Sequence, residues 1–257
     1  MLKSPNMKTF ILSPNIDTLF DQELQEIAKL REIKGQESQT LAKINSLIPQ
    51  VEAENDFIVL AKLFWEQAFV YQHLVMSHVN ESINLKLMEE SALNAHDIIL
   101  KQNLTDLLGD DLRFLGRVYD YNRDYPQAYN FYQQALDFYQ KQNNPRTLEI
   151  NAFICANLIY QNKIDDGLAL AKKTYAEFET CPLKQSDFYT WAVWKTGIYP
   201  RVIKALISQN QTFDSLEMKN ILLNDQKLLM EEKFDFRFRL DEISEALDLL
   251  ANDPHHS

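Results

Sequence analysis

The stretch GDDLRFLGRVYDYNRDYPQAYNFYQQALDFYQKQ, residues 109–142, decides the fold class of this chain. Its apolar side chains recur every three or four residues, which is the spacing of one face of an α-helix. The spacing predicts one helix over about 110–121 and a second over about 124–142. Asp124, followed three residues later by Gln127, has the character of a capping box and indicates where the second helix begins. The stretch is therefore a helical hairpin.

The order of residue types in this hairpin resembles the tetratricopeptide repeat. The match to the family spacing is Leu112-x-x-Leu115-Gly116-x-x-Tyr119, followed by Ala128-x-x-x-Tyr132-x-x-Ala135-Leu136. In that family, small residues lie where the two helices approach each other closely, and aromatic side chains fill the space on either side. The resemblance gives the first role to Gly116 and Ala128, and the second to Tyr119 and Tyr132.

A second, weaker copy covers residues 146–180. It is longer than the family period of about 34 residues, and the proline that usually ends a repeat is missing from its place in the first copy. In the second copy, Cys155 or Ala156 takes the position of the small residue Gly116. Gly167 takes the position of Ala128, and Ala171 that of Tyr132. The resemblance implies antiparallel helix pairs that stack as a right-handed superhelix.

Helical spacing continues through most of the remaining chain, and we expect about eleven helices. Five glycines and eight prolines in 257 residues are too few for the turns of sandwiches, barrels or Rossmann-type folds. Pro49 and Pro200 are expected at helix ends. The alternation in Phe234–Arg239 is typical of a strand, but a lone strand has no partner, so we predict a helix junction with inward aromatic side chains. The fold class is all-α, with a flexible lead-in at 1–16 and a single repeat domain at 17–253.

The charge of the chain limits its partners. Twenty-six lysines and arginines against 37 aspartates and glutamates leave a formal charge of -11. An acidic surface repels phosphate backbones and anionic lipids, so we expect neither nucleic acid nor membrane as a partner. No apolar run approaches the about 18 residues of a membrane span. Cys155 and Cys181 lack a metal-binding or disulfide pattern and indicate buried thiols. We expect a cytoplasmic protein.

Sequence motifs of common enzymes are not found. The chain has no GxGxxG or GxxxxGK[ST] run for phosphates, no GxSxG elbow and no HExxH zinc motif. Glu90 and His96 do not have the Glu-x-x-His spacing of di-iron proteins. His73 and His78 are expected to be ordinary satisfied or exposed side chains. We therefore predict no enzyme, no cofactor and no metal ion.

The family resemblance implies a concave groove lined by the first helix of each pair. Arginines at helical spacing on such a helix share one face and suit carboxylates or peptide backbones. The family's basic clamp for a C-terminal carboxylate, with lysines and asparagines over three repeats, is not matched. The alternative is that the arginines are exposed helix charges. We expect six partner-binding residues on the two copies: Arg113, Arg117, Asp120, Tyr121, Asn157 and Tyr160.

A second candidate surface includes Trp191 and Lys195, which share a helix face at i, i+4. Arg201 and Lys204 make this part of an acidic chain locally basic, and Gly197 indicates a kink nearby. An aromatic and cationic wall of this kind suits an acidic peptide. The alternative is that the tryptophans pack in the core.

We expect a non-catalytic scaffold that binds a protein or peptide segment in the concave groove. One alternative is a sensor or regulatory domain that closes around a small ligand or signalling peptide. Bacterial regulators of that type usually carry an N-terminal helix-turn-helix, but the first fifty residues lack a basic recognition helix. A further alternative is an enzyme on a helical scaffold, and a homo-oligomer is possible in either case.

Overall fold

The computed structural model describes residues 20–252, which form α-helices and turns with no strand in that range. The all-α prediction is confirmed. Twelve helices have nine residues or more, and α9 has four, against about eleven expected. The helices are α1 Asp21–Arg31, α2 Glu37–Glu54, α3 Phe57–Met76, α4 Glu81–Lys101, α5 Leu108–Tyr121, α6 Tyr125–Gln140, α7 Arg146–Tyr160, α8 Ile164–Glu179, α9 Leu183–Ser186, α10 Phe188–Thr196, α11 Ile198–Ser208, α12 Ser215–Met230 and α13 Arg237–Asn252.

The predicted flexible lead-in, 1–16, lies outside the described residues, as do both ends of the predicted 17–253 domain. Within 20–252, no helix has the length and apolar character required to cross a bilayer.

Consecutive helices form tightly packed pairs, of which α3/α4, α5/α6 and α7/α8 have the most extensive contacts. In the α5/α6 pair, a Cβ on Gly116 would lie 2.4 Å from the Cδ1 atom of Tyr132. In the α7/α8 pair, a Cβ on Gly167 would lie 2.7 Å from the carbonyl oxygen of Cys155. Gly116 and Gly167 are therefore required for close approach within their pairs, as the repeat pattern predicts.

The helix ends agree with the sequence in one case and differ in another. The capping role of Asp124 is confirmed, because its Oδ1 accepts a hydrogen bond from the backbone N–H of Gln127 at 3.2 Å. The expectation that Pro49 ends a helix is wrong, since α2 continues past it to Glu54. Val51, which follows Pro49, is fully buried, and its packing holds the last turn in spite of the missing hydrogen bond. Asn55, in the left-handed conformation at φ 55°, ends the helix instead.

The region 183–208 holds the short helix α9 and then α10 and α11. Asp187 separates α9 from α10 because its side chain caps α10, accepting from the N–H of Thr190 at 3.1 Å. The expectation that Pro200 lies at a helix end is confirmed, since it lies in the first turn of α11, where its missing N–H costs nothing. The predicted junction at Phe234–Arg239 is confirmed, with Phe236 buried between α12 and α13.

The last helix returns to the first ones. Helix α13 packs against α11 and also contacts α3. The side chains of Lys34, after α1, and Asp241, on α13, form an ion pair. The first helices of the pairs consequently face the C-terminal part of the chain across a common interior.

Candidate functional site

A cavity of about 140 Å³ lies in this interior. Its wall is formed by α1, α3, α5 and α7 on one side and by α10, α11 and the start of α13 on the other. We call it the arginine cavity, and its charged and aromatic lining includes Arg31, Glu32, Glu66, Phe69, His73, Asp110, Arg113, Arg117, Arg146, Glu149, Phe153, Tyr189, Arg201, Phe238, Arg239 and Glu242.

The arginine content of this wall is high for such an acidic protein. The chain has eight arginines, and six of them line the cavity. The other two, Arg123 and Arg237, are exposed at helix ends. Because the whole chain has a formal charge of -11, this concentration of guanidinium groups sets the cavity apart from the remaining surface.

Glu149, on α7, holds three of these arginines together. Its carboxylate accepts hydrogen bonds from Arg113 Nη1 at 2.7 Å, Arg117 Nη2 at 2.5 Å and Arg146 Nη1 at 3.1 Å. Asp110 adds contacts of 3.3 Å to Arg113 and Arg146. Glu149 is 2% exposed, so these charge-assisted bonds lie in a region of low dielectric, where they are strong.

Arginines and phenylalanines alternate across the cavity, one each from α1, α3, α5 and α7 on one side and from α11 on the other. The Cζ of Arg31 on α1 lies 4.3 Å from the ring centroid of Phe69 on α3, and that of Arg117 on α5 lies 5.4 Å from it. Arg117 also lies 4.4 Å from the ring centroid of Phe153 on α7, as Arg201 on α11 does at 4.1 Å. This Arg–Phe ladder forms one continuous surface of cation–π contacts.

Gly197, between α10 and α11, makes room for two guanidinium groups. A Cβ at this position would lie 2.7 Å from the Cζ of Arg239 and 2.8 Å from Nη2 of Arg201. The two cations are thus neighbours. Arg239 is paired with Glu242, whereas Arg201 has no carboxylate within salt-bridge distance among residues 20–252.

Contacts between the two ends of the chain close the cavity. The hydroxyl of Tyr189 donates to Glu32 Oε2 at 2.8 Å. The ring of His73 stacks on that of Phe238 with centroids 4.1 Å apart, and its Nδ1 lies 3.2 Å from the carbonyl oxygen of Arg31. A ligand larger than the cavity must displace these contacts to enter.

The pKa values show how burial and neighbouring charges act on the ionisable groups of the cavity. Burial opposes ionisation of Glu149, but its three arginines outweigh that effect and lower its pKa. Burial, together with Arg113 and Arg201 nearby, lowers the pKa of Arg117 to about 9, although Glu149 acts to raise it. Burial also lowers the pKa of Arg239, and Arg201 adds to that shift. The cations here are crowded, and an anion among them would relieve that repulsion.

The structure brings only part of the predicted partner-binding set to the cavity. Arg113, Arg117 and Tyr121 line it. Arg113 is 5% exposed and Arg117 is 8% exposed, so the alternative that they are exposed helix charges is wrong. Their placement required the partner Glu149, more than thirty residues away, which local spacing did not indicate.

Asp120, Asn157 and Tyr160 belong to a separate polar cluster between α5, α6 and α7. Asn157 Nδ2 donates to Asp120 Oδ1 at 2.6 Å, and the hydroxyl of Tyr132 donates to Asp120 Oδ2 at 2.8 Å. The ring of Tyr160 stacks on Tyr125 at 4.3 Å. Asn157 is fully buried, so this cluster ties the helix pairs together and does not extend the cavity surface.

Asp120 makes the stability contributed by this cluster depend on pH. Loss of hydration raises the pKa of Asp120 to about 6 from its ordinary 3.8, despite the bonds from Asn157 and Tyr132. Because the folded-state pKa is raised, the stabilisation from this group is full below about pH 4 and is lost as the pH rises through 6.

Replacing Asp120 with asparagine is expected to remove this loss of stability. Between pH 4 and pH 7, the free energy of unfolding of the variant should therefore rise by about 2 kcal/mol relative to that of the wild type. Urea unfolding at several pH values measures the difference.

The control for the Asp120 variant is the same change at exposed Asp137 on α6. Equal pH dependence of the two variants would contradict the role given to Asp120.

Trp191 and Lys195 lie in the core around α8, α10 and α12, as the core-packing alternative held for the tryptophans. Trp191 is 1% exposed, and its Nε1 donates to the carbonyl oxygen of Phe178 at 2.8 Å. Lys195 is buried, with its Nζ 2.9 Å from Glu179 and 3.7 Å from Asp225. The second candidate surface, with Trp191 and Lys195 as an exposed wall, is therefore not formed, because both side chains are buried.

Sequence reasoning missed most of the cavity wall. Arg31 and Arg239 lie on helices that the motif did not reach, Arg146 begins the second copy but was not singled out, and Arg201 was noted only for local charge. One signal was present: arginine is scarce in this chain compared with lysine, and most of the few arginines lie inside predicted amphipathic helices. Arginine suits buried ion pairs better than lysine does, so such a distribution indicates an interior cluster.

Comparison with protein-family models found no match for this chain, and comparisons with curated proteins and with solved structures found none either. Among the described residues, no group of three or more histidine, cysteine, aspartate or glutamate side chains could hold a metal ion.

Proposed function

We propose that this chain is a non-catalytic, tetratricopeptide-like scaffold that binds an acidic segment of a partner protein on its concave face. The observation that carries the proposal is the collection of six of the eight arginines on one cavity. In this proposal the helix pairs stack as a right-handed superhelix, and α1, α3, α5 and α7 line its concave side.

The Arg–Phe ladder supports this orientation. It takes one residue in turn from each of α1, α3, α5 and α7, as expected if these helices line one curved surface, and Arg201 of α11 continues it from the opposite side. Flat guanidinium groups offer paired donors to carboxylates, and the rings beside them offer apolar contact to the chain that carries the carboxylate. A segment rich in aspartate or glutamate fits both features.

The charges near the ladder favour binding over proton transfer. Glu149 and Glu242 have lowered pKa values because of the arginines around them, so neither is suited to accept a proton near neutral pH. The net charge of -11 supports partners other than nucleic acid or membrane. Both cysteines are free and buried, which supports a reducing compartment, and we propose the cytoplasm.

A second candidate function is a sensor that encloses a small ligand. The contacts between Tyr189 and Glu32, and between His73 and Phe238, favour it because they leave a small enclosed volume. Both candidates place the ligand on the same arginines. They differ in whether α13 must move to admit the ligand.

Replacing Arg201 with glutamine is expected to weaken binding of acidic peptides by about tenfold, because one charge-assisted contact is lost. Arg201 is the suitable position, since it pairs with no carboxylate among the described residues and its loss leaves no buried anion. The measurement uses an array of ten-residue peptides of graded charge, followed by fluorescence anisotropy on those that bind.

Arg123, which is exposed in the turn between α5 and α6 and lies outside the cavity lining, provides the matched control. Arg123→Gln should bind as wild type does. Equal binding of acidic and basic peptides, or equal loss in the two variants, would rule out the concave arginines as the binding surface. Light scattering on the same samples tests the possible homo-oligomer.

A further inference from the structure

One end of the arginine cavity has more cations than carboxylates. The groups that face it from α5, α7, α11 and α13 are five arginines and three acids: Arg113, Arg117, Arg146, Arg201 and Arg239, with Asp110, Glu149 and Glu242. The formal excess is two positive charges. The remaining acid of this region, Asp235, is held by the exposed Arg237 and does not offset it.

Two of the other four arginines, Arg117 and Arg239, lie near Arg201. Arg117 and Arg201 both contact the ring of Phe153, with Cζ atoms 4.4 and 4.1 Å from its centroid. Arg239 meets Arg201 at Gly197, where both guanidinium groups come within 3 Å of the position of a Cβ. An alanine there would press on both cations. The absence of a side chain at Gly197 thus allows two like charges to lie together, an arrangement that is unfavourable without an anion.

The size of the cavity limits what such an anion can be. An engineered apolar cavity of about 150 Å³ holds benzene, which has six non-hydrogen atoms. At about 140 Å³, the arginine cavity has space for a group of similar size. A phosphate group, with five non-hydrogen atoms, fits this limit.

We propose that the cavity binds a phosphate-type dianion between Arg117, Arg201 and Arg239. The excess of two charges matches a dianion, and three guanidinium groups from three different helices suit the oxygens of a tetrahedral group better than the two oxygens of a planar carboxylate. This inference deepens the proposed function, because it names the group that enters the concave site. That group is either a phosphorylated side chain of the partner segment or a free phosphate compound.

Inorganic phosphate is the first probe, added to the full chain at constant ionic strength, with acetate and chloride as controls. Thermal unfolding should shift upward and saturate with phosphate alone, since a ligand that binds the folded state stabilises it. Titration calorimetry then gives the affinity. We expect Arg201→Gln to weaken phosphate binding at least tenfold, Arg201→Lys to weaken it less, and the exposed-site variant Arg123→Gln to leave it unchanged.

A second arm identifies the source of the phosphate. An acidic ten-residue peptide is compared with the same peptide carrying one phosphoserine. Phosphopeptide binding at least tenfold tighter than both free phosphate and the plain peptide assigns the site to a phosphorylated partner segment. Phosphate binding without that gain assigns it to a free phosphate compound. Both results support the phosphate-type site.

The inference is overturned if phosphate stabilises the protein no more than acetate does, or if Arg201→Gln and Arg123→Gln lower the affinity for phosphate equally. These failures are separate from failure of the proposed function. Acidic peptides that bind through Arg201 without any response to phosphate would leave the scaffold proposal standing. Phosphate that binds while no peptide does would remove the scaffold proposal and keep the site.

Discussion

Replacing Glu149 with glutamine is expected to lower the free energy of unfolding by about 3–5 kcal/mol. The carboxylate bonds to Arg113, Arg117 and Arg146, and glutamine keeps its shape while removing the charge. The loss is large because three buried or nearly buried guanidinium groups would then lack their shared anion. Urea unfolding followed by circular dichroism at pH 7 measures the change.

The control for this variant is Glu177→Gln on α8. Glu177 and Lys173 form an exposed pair with the two charges 3.9 Å apart, and we expect its loss to cost no more than about 0.5 kcal/mol. A cost at Glu149 as small as that at Glu177 would contradict the role of Glu149 as the centre of the arginine cluster. We also expect phosphate to restore part of the stability of Glu149→Gln, because an oxyanion would replace the lost charge.

The contribution of Glu149 to the stability of the protein also depends on pH. Because arginines lower its folded-state pKa, its contribution to stability is present above the ordinary glutamate pKa and is lost as the pH falls through the folded value. Asp120 acts in the opposite direction, since its pKa is raised. The Glu149 and Asp120 variants should therefore differ in the sign of their pH dependence.

Replacing Gly116 with alanine is expected to destabilise the protein by about 1–3 kcal/mol, although alanine is the better helix former. The new Cβ would lie 2.4 Å from two ring carbons of Tyr132. That ring cannot move away easily, because it is fully buried and its hydroxyl is bonded to Asp120. Thermal and urea unfolding measure the change.

The double variant Gly116→Ala/Tyr132→Leu tests the cause. Removing the ring also removes the clash, so the double variant should lose less stability than the two single variants combined. Additive losses, or a stabilisation of about 1 kcal/mol by alanine alone as for an unconstrained helix position, would show that α5 and α6 do not approach closely at Gly116.

The sequence predicted the features that depend on neighbouring residues. Periodicity predicted an all-helical chain, Asp124 predicted the start of α6, and Gly116 with Tyr132 predicted the close contact between α5 and α6. Each of these depends on residues within about one helical hairpin. Local patterns do not include burial by other helices, and the helix end predicted near Pro49 was wrong for that reason. Burial of Val51 outweighed the local cost of the proline.

The candidate site depends on distant contacts and was therefore predicted only in part. Arg113 and Arg117 were identified, but their burial follows from Glu149 on the next pair. Trp191 was expected at a surface because spacing shows which residues share a helix face, and not what covers that face. The contacts that close the cavity, between Tyr189 and Glu32 and between Phe238 and His73, join parts of the chain at least 157 residues apart. No local pattern contains that information.

The central claim is that the arginine cavity binds an anion. Two-dimensional ¹⁵N spectra of the arginine Nε–Hε groups at pH 6.5 test it most directly, because the chain has only eight arginines and each gives one signal. As inorganic phosphate is added, the signals of Arg117, Arg201 and Arg239 should shift and saturate together, while those of exposed Arg123 and Arg237 stay in place. Shifts confined to Arg123 and Arg237, or equal at all eight, would contradict the claim.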